Sequence, residues 1–343
     1  MTDLRDLTTM RVGGPAAEFV RADRTEDVVA AVRDADARGR PLLVMGGGSN
    51  LVVGDGGFDG VVVQVATEGL RVEGSRLTVD AGVAWDPLVE TSLAAGLAGL
   101  EPLSGIPGTA GGTPVQNVGA YGALTSDLLG ALTVYDRETG AIERWSPEQC
   151  RFSSHRASVF KRSDRWVVLD LSYDLRRSDE SGPVLYADLA RSLGVEMRGT
   201  APALEVRAAV LALRRQRGMV LDAADHDTWS VGSFFVNPVL DAVPERADAA
   251  PRYPDAAGIK VPAGWLIEHA GFPRGWGREF GRGTVALSSR HALAVTNRGD
   301  ATAAEVMAFA AHVRDGVERA FDIRLRPECD LVNCSLDEAA HVT

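Results

Sequence analysis

A short apolar run that ends against three consecutive glycines constrains this chain more than any other stretch. Leu42 to Met45, preceded by Pro41, has the length and character of a buried strand. Gly46-Gly47-Gly48-Ser49-Asn50 follows it directly. Glycine tolerates positive φ and has no Cβ, so another group can come close to its backbone. Successive N–H groups in such a turn form a nest suited to an anion, typically a phosphate. A loose surface turn would have the same glycine count, so both readings stay open on this stretch alone. The usual dinucleotide fingerprint does not fit, because its glycines open a helix. Here Leu51-Val52-Val53-Gly54 follows, β-branched and ending at Asp55-Gly56-Gly57. An anion held here would rest on loop amides with no helix dipole behind them.

A second glycine cluster, from Ser104 to Gly122, favours the anion reading. Gly105, Gly108, Gly111 and Gly112, with Pro107 and Pro114, crowd its first half, and Gln116-Asn117-Val118-Gly119-Ala120-Tyr121-Gly122 completes it. A loop of this length inside a compact domain tends to be functional. Its backbone could wrap a long ligand, with Gln116, Asn117 and Tyr121 in contact.

Composition narrows the partners. A net charge of -11 argues against non-specific nucleic-acid binding, which draws its affinity from Lys and Arg on phosphates. No apolar run is long enough to span a membrane, and Met1 to Thr9 lacks a signal-peptide core. Cys150, Cys329 and Cys334 have neither metal-ligand nor redox spacing, and His226, His269 and His291 lie far apart. The expectation is a cytoplasmic, monomeric protein with reduced thiols, no metal, and no nucleic-acid or membrane partner.

Along the chain, Glu18-Phe19-Val20 reads as extended. Thr25 is expected to cap a helix carrying Glu26 and Asp27 in its first turn, with Val28, Val32 and Ala35 on one face and Gly39 at its end. With the Pro41 strand this makes a β-α-β opening. Gly60 to Ala66 and Arg76 to Ala81 read as strands. Asp86 and Pro87 are expected as cap and first position of a helix ending near Gly96 or Gly99. Leu132 to Asp136 and Ala141 to Trp145 read as a hairpin, and Trp166 to Tyr173 as a strand. Leu204 to Arg215 is an amphipathic helix closed by Gly218, at a domain joint. Short strands and loops follow, then a long amphipathic helix from Ala303 to Phe321, a closing strand from Ile323 to Glu328, and a disordered tail from about Leu336.

At this point the motifs resemble a known family. Gly46-Gly47-Gly48-Ser49-Asn50, Gly105-Ile106-Pro107-Gly108 and Gln116 to Gly122 are similar to the FAD-binding domain of the vanillyl-alcohol-oxidase (PCMH) type. Adding Arg156-Ala157-Ser158-Val159-Phe160-Lys161, Gly232-Ser233-Phe234-Phe235-Val236-Asn237-Pro238, Ala263 to Glu268 and Arg326-Pro327-Glu328 narrows it. The set resembles the UDP-N-acetylenolpyruvoylglucosamine reductases, from about Thr8 to Asn333. The resemblance implies an α+β fold: a two-subdomain PCMH-type FAD-binding region plus a smaller α+β substrate-binding domain. The expected division is 1–58 and 59–202 for the two FAD-binding subdomains, 203–322 for the substrate-binding domain, 323–335 for the closing strand carrying Glu328, and 336–343 for the tail.

The family implies a flavoenzyme of peptidoglycan precursor synthesis, with non-covalent FAD as cofactor and NADPH as co-substrate. Its substrate is UDP-N-acetylglucosamine enolpyruvate and its product UDP-N-acetylmuramate. Hydride reaches the methylene carbon of the enol ether, so negative charge builds on the neighbouring carbon and its carboxylate. That charge needs fixed positive or hydrogen-bonding groups, then a proton. Arg156 matches the family arginine on the substrate carboxylate, for which a guanidinium fork is suited; on residue type alone it is one base among Arg151, Lys161 and Arg162. Ser233 matches the proton donor, and Glu328 the glutamate that acts with Arg156 on the developing charge. Gly46, Gly47, Gly48, Ser49, Asn50, Gly105, Ile106, Pro107, Gly108, Gln116, Asn117, Gly119, Ala120 and Tyr121 match the cofactor-binding positions. Tyr186 resembles the tyrosine one subclass closes over the substrate nucleotide, and Asn237 and Lys260 resemble residues near its pyrophosphate. Two positions depart from the pattern: Met219 stands where a lysine is expected, leaving Arg215 or Arg217 for the phosphates, and His155 stands where a tyrosine often precedes the arginine.

Two other classes compete. One is an FAD oxidase of a small alcohol or sugar with non-covalent flavin; no His or Cys precedes Cys150, so a covalent flavin link near the first glycine loop is excluded. The other is a non-enzymatic nucleotide-binding module, which leaves the Ser233 and Glu328 motifs without a role.

Overall fold

The structure is a computed structural model that describes residues 2–153 and 157–339. The chain forms two compact units that interleave in sequence. One comprises Met1–Ala17, Gly48–Asp59 and Arg217–Thr343; the other comprises Glu18–Gly47 and Gly60–Gln216.

The second unit contains the β-α-β opening. Leu42–Met45 runs parallel to Phe58–Val65, in a three-stranded sheet completed by Ala16–Ala22. The helix Thr25–Ala37 lies between the first two strands in sequence and buries Val28, Val32 and Ala35, the spacing of one helical face. Thr25 is not its cap. Arg24 holds the cap position, in extended conformation and without a side-chain bond, and Thr25 is already helical. The acidic first turn compensates, with Glu26 and Asp27 at the positive end of the dipole.

A five-stranded antiparallel sheet follows, in the order Ile142–Trp145, Leu129–Asp136, Trp166–Asp174, Arg76–Asp80, Leu70–Glu73. The hairpin expected around Gly140 is present. One core joins the two sheets with the helix Trp85–Ala94, whose Trp85, Leu88 and Val89 are buried. That helix starts two residues earlier than the Asp86-Pro87 signal implied. Ala84 is the cap residue, so Asp86 lies in the first turn and its carboxylate is directed elsewhere, as described below. A smaller core forms where the helix Ala203–Gln216 packs Val206 and Val210 with Val184, Leu189, Ala190 and Ala201. Gly218 lies just beyond that helix at φ +65, a backbone state that disfavours side chains.

The first unit is built around the helix Ala303–Phe321. Val306, Phe309, Ala310, Val313 and Val317 are fully buried in its core. Thr302 and Glu305 cap each other's backbone at its start. Asp55 adds a long-range cap, its two oxygens accepting the Ala303 and Ala304 N–H groups at 2.7 and 2.9 Å. Val285–Leu287 pairs antiparallel with Val295–Asn297. Val239–Leu240, Gly258–Lys260 and Tyr253–Asp255 make a small antiparallel sheet.

The closing strand is displaced toward the C-terminus. Ile323 and Leu325 are buried while Arg324 and Arg326 are exposed, which explains the strand-like pattern, but the regular pairing is Asp330–Val332 parallel to Leu51–Val53. The expected disorder from Leu336 is corrected over Leu336–Ala339, while 340–343 lie outside the described residues. Leu336–Ala339 forms a short helix, Leu336 is 5% exposed in the core, and the Asp337 carboxylate pairs with Arg314 and Arg324. Among the described residues no helix is long and apolar enough to cross a membrane, and no group of His, Cys, Asp and Glu is arranged to hold a metal ion.

Candidate functional site

The two glycine clusters meet within the second unit. A Cβ added to Gly46 would lie 2.2 Å from Thr109 Oγ1, and one added to Gly47 would lie 3.0 Å from the Cα of Gly108. The missing side chains therefore let one loop pass directly against the other. Gly46 and Gly47 follow the strand Leu42–Met45, which is half-buried along Leu42, Leu43 and Val44 and buried at Met45. The facing loop is tied to the start of the helix Trp85–Ala94. Trp85 donates its backbone N–H to the Gly108 carbonyl at 3.0 Å and its indole N–H to the Leu103 carbonyl at 2.9 Å. Gly105 donates its N–H to Asp86 Oδ1 at 2.6 Å, and Ile106 and Pro107 lie half-buried between these anchors.

Asp86 also takes the fork of Arg207, at 2.7 Å from Nη1 and 3.0 Å from Nη2. Burial opposes its ionisation, but the bonds from Arg207 and Gly105 outweigh that and hold the carboxyl below its ordinary range.

The rest of the second glycine cluster carries backbone strain. Asn117 and Tyr121 have φ of +46 and +51, uncommon for residues with a Cβ and often found at functional sites. Asn117 is 5% exposed, and its Oδ1 accepts the Ser126 N–H at 3.0 Å. Gly119 and Ala120 pair with Leu124 and Ala123 in a miniature hairpin. The Tyr121 ring meets Tyr186 edge-on, with centroids 5.2 Å apart. The structure thus joins Tyr186 to the second glycine cluster. Tyr186 stays 37% exposed at the start of the helix Ala187–Leu193.

In the first unit, Gly48 at φ +58 packs so closely on Leu7 that a Cβ would lie 2.0 Å from its carbonyl oxygen. Ser49 and Asn50 are half-buried, and the Asn50 carbonyl accepts the Asp330 N–H at 2.9 Å. Ser233 and Glu328 come together here. Phe235 and Pro327 form an antiparallel bridge, Val236 donates to the Arg326 carbonyl at 3.0 Å, and Glu328 donates its N–H to the Phe234 carbonyl at 2.8 Å. Ser233 therefore sits one residue before the rung that holds Glu328, and both are half-buried. Phe234 and Phe235 anchor the ladder in the core at 0% and 1% exposure.

Asn237 and Lys260 are also neighbours. Val261 donates its N–H to the Pro238 carbonyl at 2.9 Å, and Val239 pairs with Lys260. The Asn237 Oδ1 accepts the Ala263 N–H at 2.9 Å, at the start of the helix Ala263–His269, so its carboxamide is oriented. Lys260 Nζ lies 4.0 Å from Asp255 Oδ2.

Arg156 lies outside the described residues. Its flanks are fixed: Ser153 and Ala157 form a bridge, and the buried Ser158 hydroxyl donates to the Val115 carbonyl at 2.6 Å.

Sequence reasoning missed Thr109, Trp85 and the Asp86–Arg207 pair. The pair joins residues 121 apart, so no local spacing announces it. It also missed Asp227, which accepts bonds from Ser288, Ser289, Arg290 and Arg298 and organises the loop after Val285–Leu287. Its only signal is the acidic-rich run Asp222 to Asp227.

The chain is similar to known proteins over nearly its whole length. A family model described as an FAD binding domain matches residues 16–146. One described as the C-terminal domain of UDP-N-acetylenolpyruvoylglucosamine reductase matches residues 224–332. The reductase of that name from Nocardia farcinica is 51% identical, over 95% of this chain and 87% of its own length. The one from Saccharopolyspora erythraea is 50% identical, over 97% and 95%. A crystal structure of the Thermus caldophilus reductase superposes with a TM-score of 0.66 at 25% identity, covering 96% of this chain and 97% of that one. The fold is thus the expected α+β one, with an FAD-binding domain and a C-terminal domain. This chain belongs to the UDP-N-acetylenolpyruvoylglucosamine reductase family.

Proposed function

We propose that this chain reduces UDP-N-acetylglucosamine enolpyruvate to UDP-N-acetylmuramate in peptidoglycan precursor synthesis, using NADPH and non-covalent FAD. The observation that carries the reading is the ladder that sets Ser233 beside Glu328, in the segment matching the reductase C-terminal domain.

The residues present fit the cofactor. Gly46 and Gly47 pack directly against Gly108 and Thr109, so two glycine-rich loops bring their backbones together as a cradle whose amides would hold a phosphate group. Gly48, Ser49, Asn50, Ile106, Pro107, Gln116, Asn117, Gly119, Ala120 and Tyr121 would complete the contacts. Bound there, FAD would relay hydride from NADPH to the methylene carbon of the enol ether.

The chain's own residues manage charge and the proton. Arg156 would clamp the substrate carboxylate through two N–H bonds, fixing the plane in which charge develops. Glu328 would act with it on the enolate. Ser233 would then deliver its hydroxyl proton to the α-carbon; a serine is a weak acid, so only a strongly basic carbon would take it. Lys260 would face the pyrophosphate as a point charge, beside the oriented carboxamide of Asn237. Tyr186, packed on Tyr121, would cover the nucleotide. A cytoplasmic monomer fits these roles.

The test is product stoichiometry without oxygen. The reading predicts one UDP-N-acetylmuramate formed per NADPH consumed. NADPH oxidation that needs oxygen and leaves the enolpyruvyl group intact would overturn it in favour of an oxidase.

A further inference from the structure

The loop from Gly105 to Gly108 is one wall of the proposed cradle, and a carboxylate anchors it. Asp86 Oδ1 accepts the Gly105 N–H at 2.6 Å. Gly105 stands at φ +72, where no side chain steers the peptide, so this bond sets the orientation of the loop's first amide. A negative charge at that place is the wrong sign for a wall meant to receive a diphosphate. The opposite end of the loop is held without charge, by the Trp85 N–H on the Gly108 carbonyl.

Arg207 resolves the conflict. Both terminal nitrogens of its fork engage Asp86, one per oxygen, and its side chain is 12% exposed. It reaches Asp86 from the helix Ala203–Gln216, which supplies no other residue assigned to the cofactor. Glu90, at 3.9 Å from Nη2, is a distant second partner with a mostly exposed side chain.

We propose that Asp86 and Arg207 act as one positioning unit for the cofactor diphosphate, Asp86 fixing the Gly105 peptide and Arg207 cancelling the charge that Asp86 brings to the loop. This rests on the assignment of FAD to the glycine cradle. Neither side chain needs to touch the cofactor. A pair that merely docked one helix on another would stabilise the fold but would show no preference for phosphate-bearing ligands.

The experiment titrates deflavo-protein with FAD and, separately, with riboflavin, which lacks the diphosphate, following flavin fluorescence. Arg207→Met should weaken FAD about tenfold, the scale of one charge pair near a protein surface, and leave riboflavin unchanged. Asp86→Asn keeps an oxygen for the Gly105 N–H and leaves the Arg207 charge unopposed, so it should bind FAD at least as tightly as wild type. The double variant should bind FAD more tightly than Arg207→Met alone, because the uncancelled charge is gone. Arg207→Lys keeps the charge without the fork and should fall between wild type and Arg207→Met. Equal FAD affinity in wild type and Arg207→Met, or a double variant no better than Arg207→Met, would overturn the proposal while leaving the cofactor assignment standing. A wild-type protein that binds no FAD would overturn both.

Discussion

Gly46→Ala tests how the two glycine loops meet, and its cost can be worked from the contacts. The new methyl would stand 2.2 Å from Thr109 Oγ1 and 3.3 Å from Thr109 Cβ and Cγ2. Ordinary contact is about 3.5 Å, so the overlap with the hydroxyl exceeds roughly 1 Å. Turning Thr109 about χ1 moves Oγ1 away, but the branched Cβ then presents its other substituent to the methyl. Forced overpacking of this kind costs about 1–3 kcal/mol. In a protein of 343 residues that lowers the melting temperature by about 1–2 °C per kcal/mol. The assay is thermal unfolding of the deflavo forms of wild type, Gly46→Ala, Thr109→Ala and the double variant. Thr109→Ala removes Oγ1 and Cγ2, so the double variant should recover about 1 kcal/mol or more relative to the sum of the singles. Strict additivity would show that Thr109 is not what excludes a side chain at Gly46.

Ser233→Ala should leave reduction by NADPH intact and stop the half-reaction with the enolpyruvyl substrate; stopped-flow spectra that slow equally in both halves would remove Ser233 as proton donor. Arg156→Lys should lose most turnover because the two-point grip on the carboxylate is gone, and an enzyme active at the wild-type rate would refute the clamp. Asp227→Asn leaves Arg290 and Arg298 facing a neutral group and should cost about 3 kcal/mol in denaturant unfolding; a loss within about 0.5 kcal/mol would refute its organising role. Glu305 should make stability acid-sensitive: the Arg282 bond, outweighing burial and aided by the Thr302 N–H, lowers its pKa from 4.5 to about 2. A folded-state pKa below the unfolded one gives stabilisation that is complete above about pH 4.5 and is lost as pH falls through about 2. Glu305→Gln should therefore be less stable than wild type at neutral pH, with the gap closing in acid; a gap constant with pH would refute the linkage.

Local pattern carried the elements whose reasons are local. Val28, Val32 and Ala35 on one face define the first helix, and the buried stripe from Val306 to Val317 defines the last long one. Leu42 to Met45 and the glycines after it could be read as strand and close-approach loop because glycine's freedom is intrinsic to the residue. What escaped was set by distant partners. Asp86 looks like a cap in sequence, yet its carboxylate answers to Gly105 and Arg207. The alternation from Ile323 to Arg326 looks like a strand, yet only a short bridge forms at Pro327, and the regular pairing comes farther on, where Asp330–Val332 finds Leu51–Val53. Leu336 and Asp337 read as tail because no local pattern shows the core, Arg314 and Arg324 waiting for them. The candidate site residues were read from motif order, and the structure brings the backbone at Ser233 near that at Glu328, Asn237 near Lys260 and Tyr121 to Tyr186 by pairings that no spacing encodes.

The central claim is that backbone loops grip an unlinked flavin and that a carboxylated enol ether draws hydride from it. The most direct measurement is the visible absorption of the purified, FAD-loaded protein under strict exclusion of oxygen. The account predicts a flavin band that NADPH bleaches, that the enolpyruvyl UDP-sugar restores, and that leaves with the small-molecule fraction on denaturation. A protein that takes up no flavin, or a bleached band that returns only when air is admitted, would contradict it.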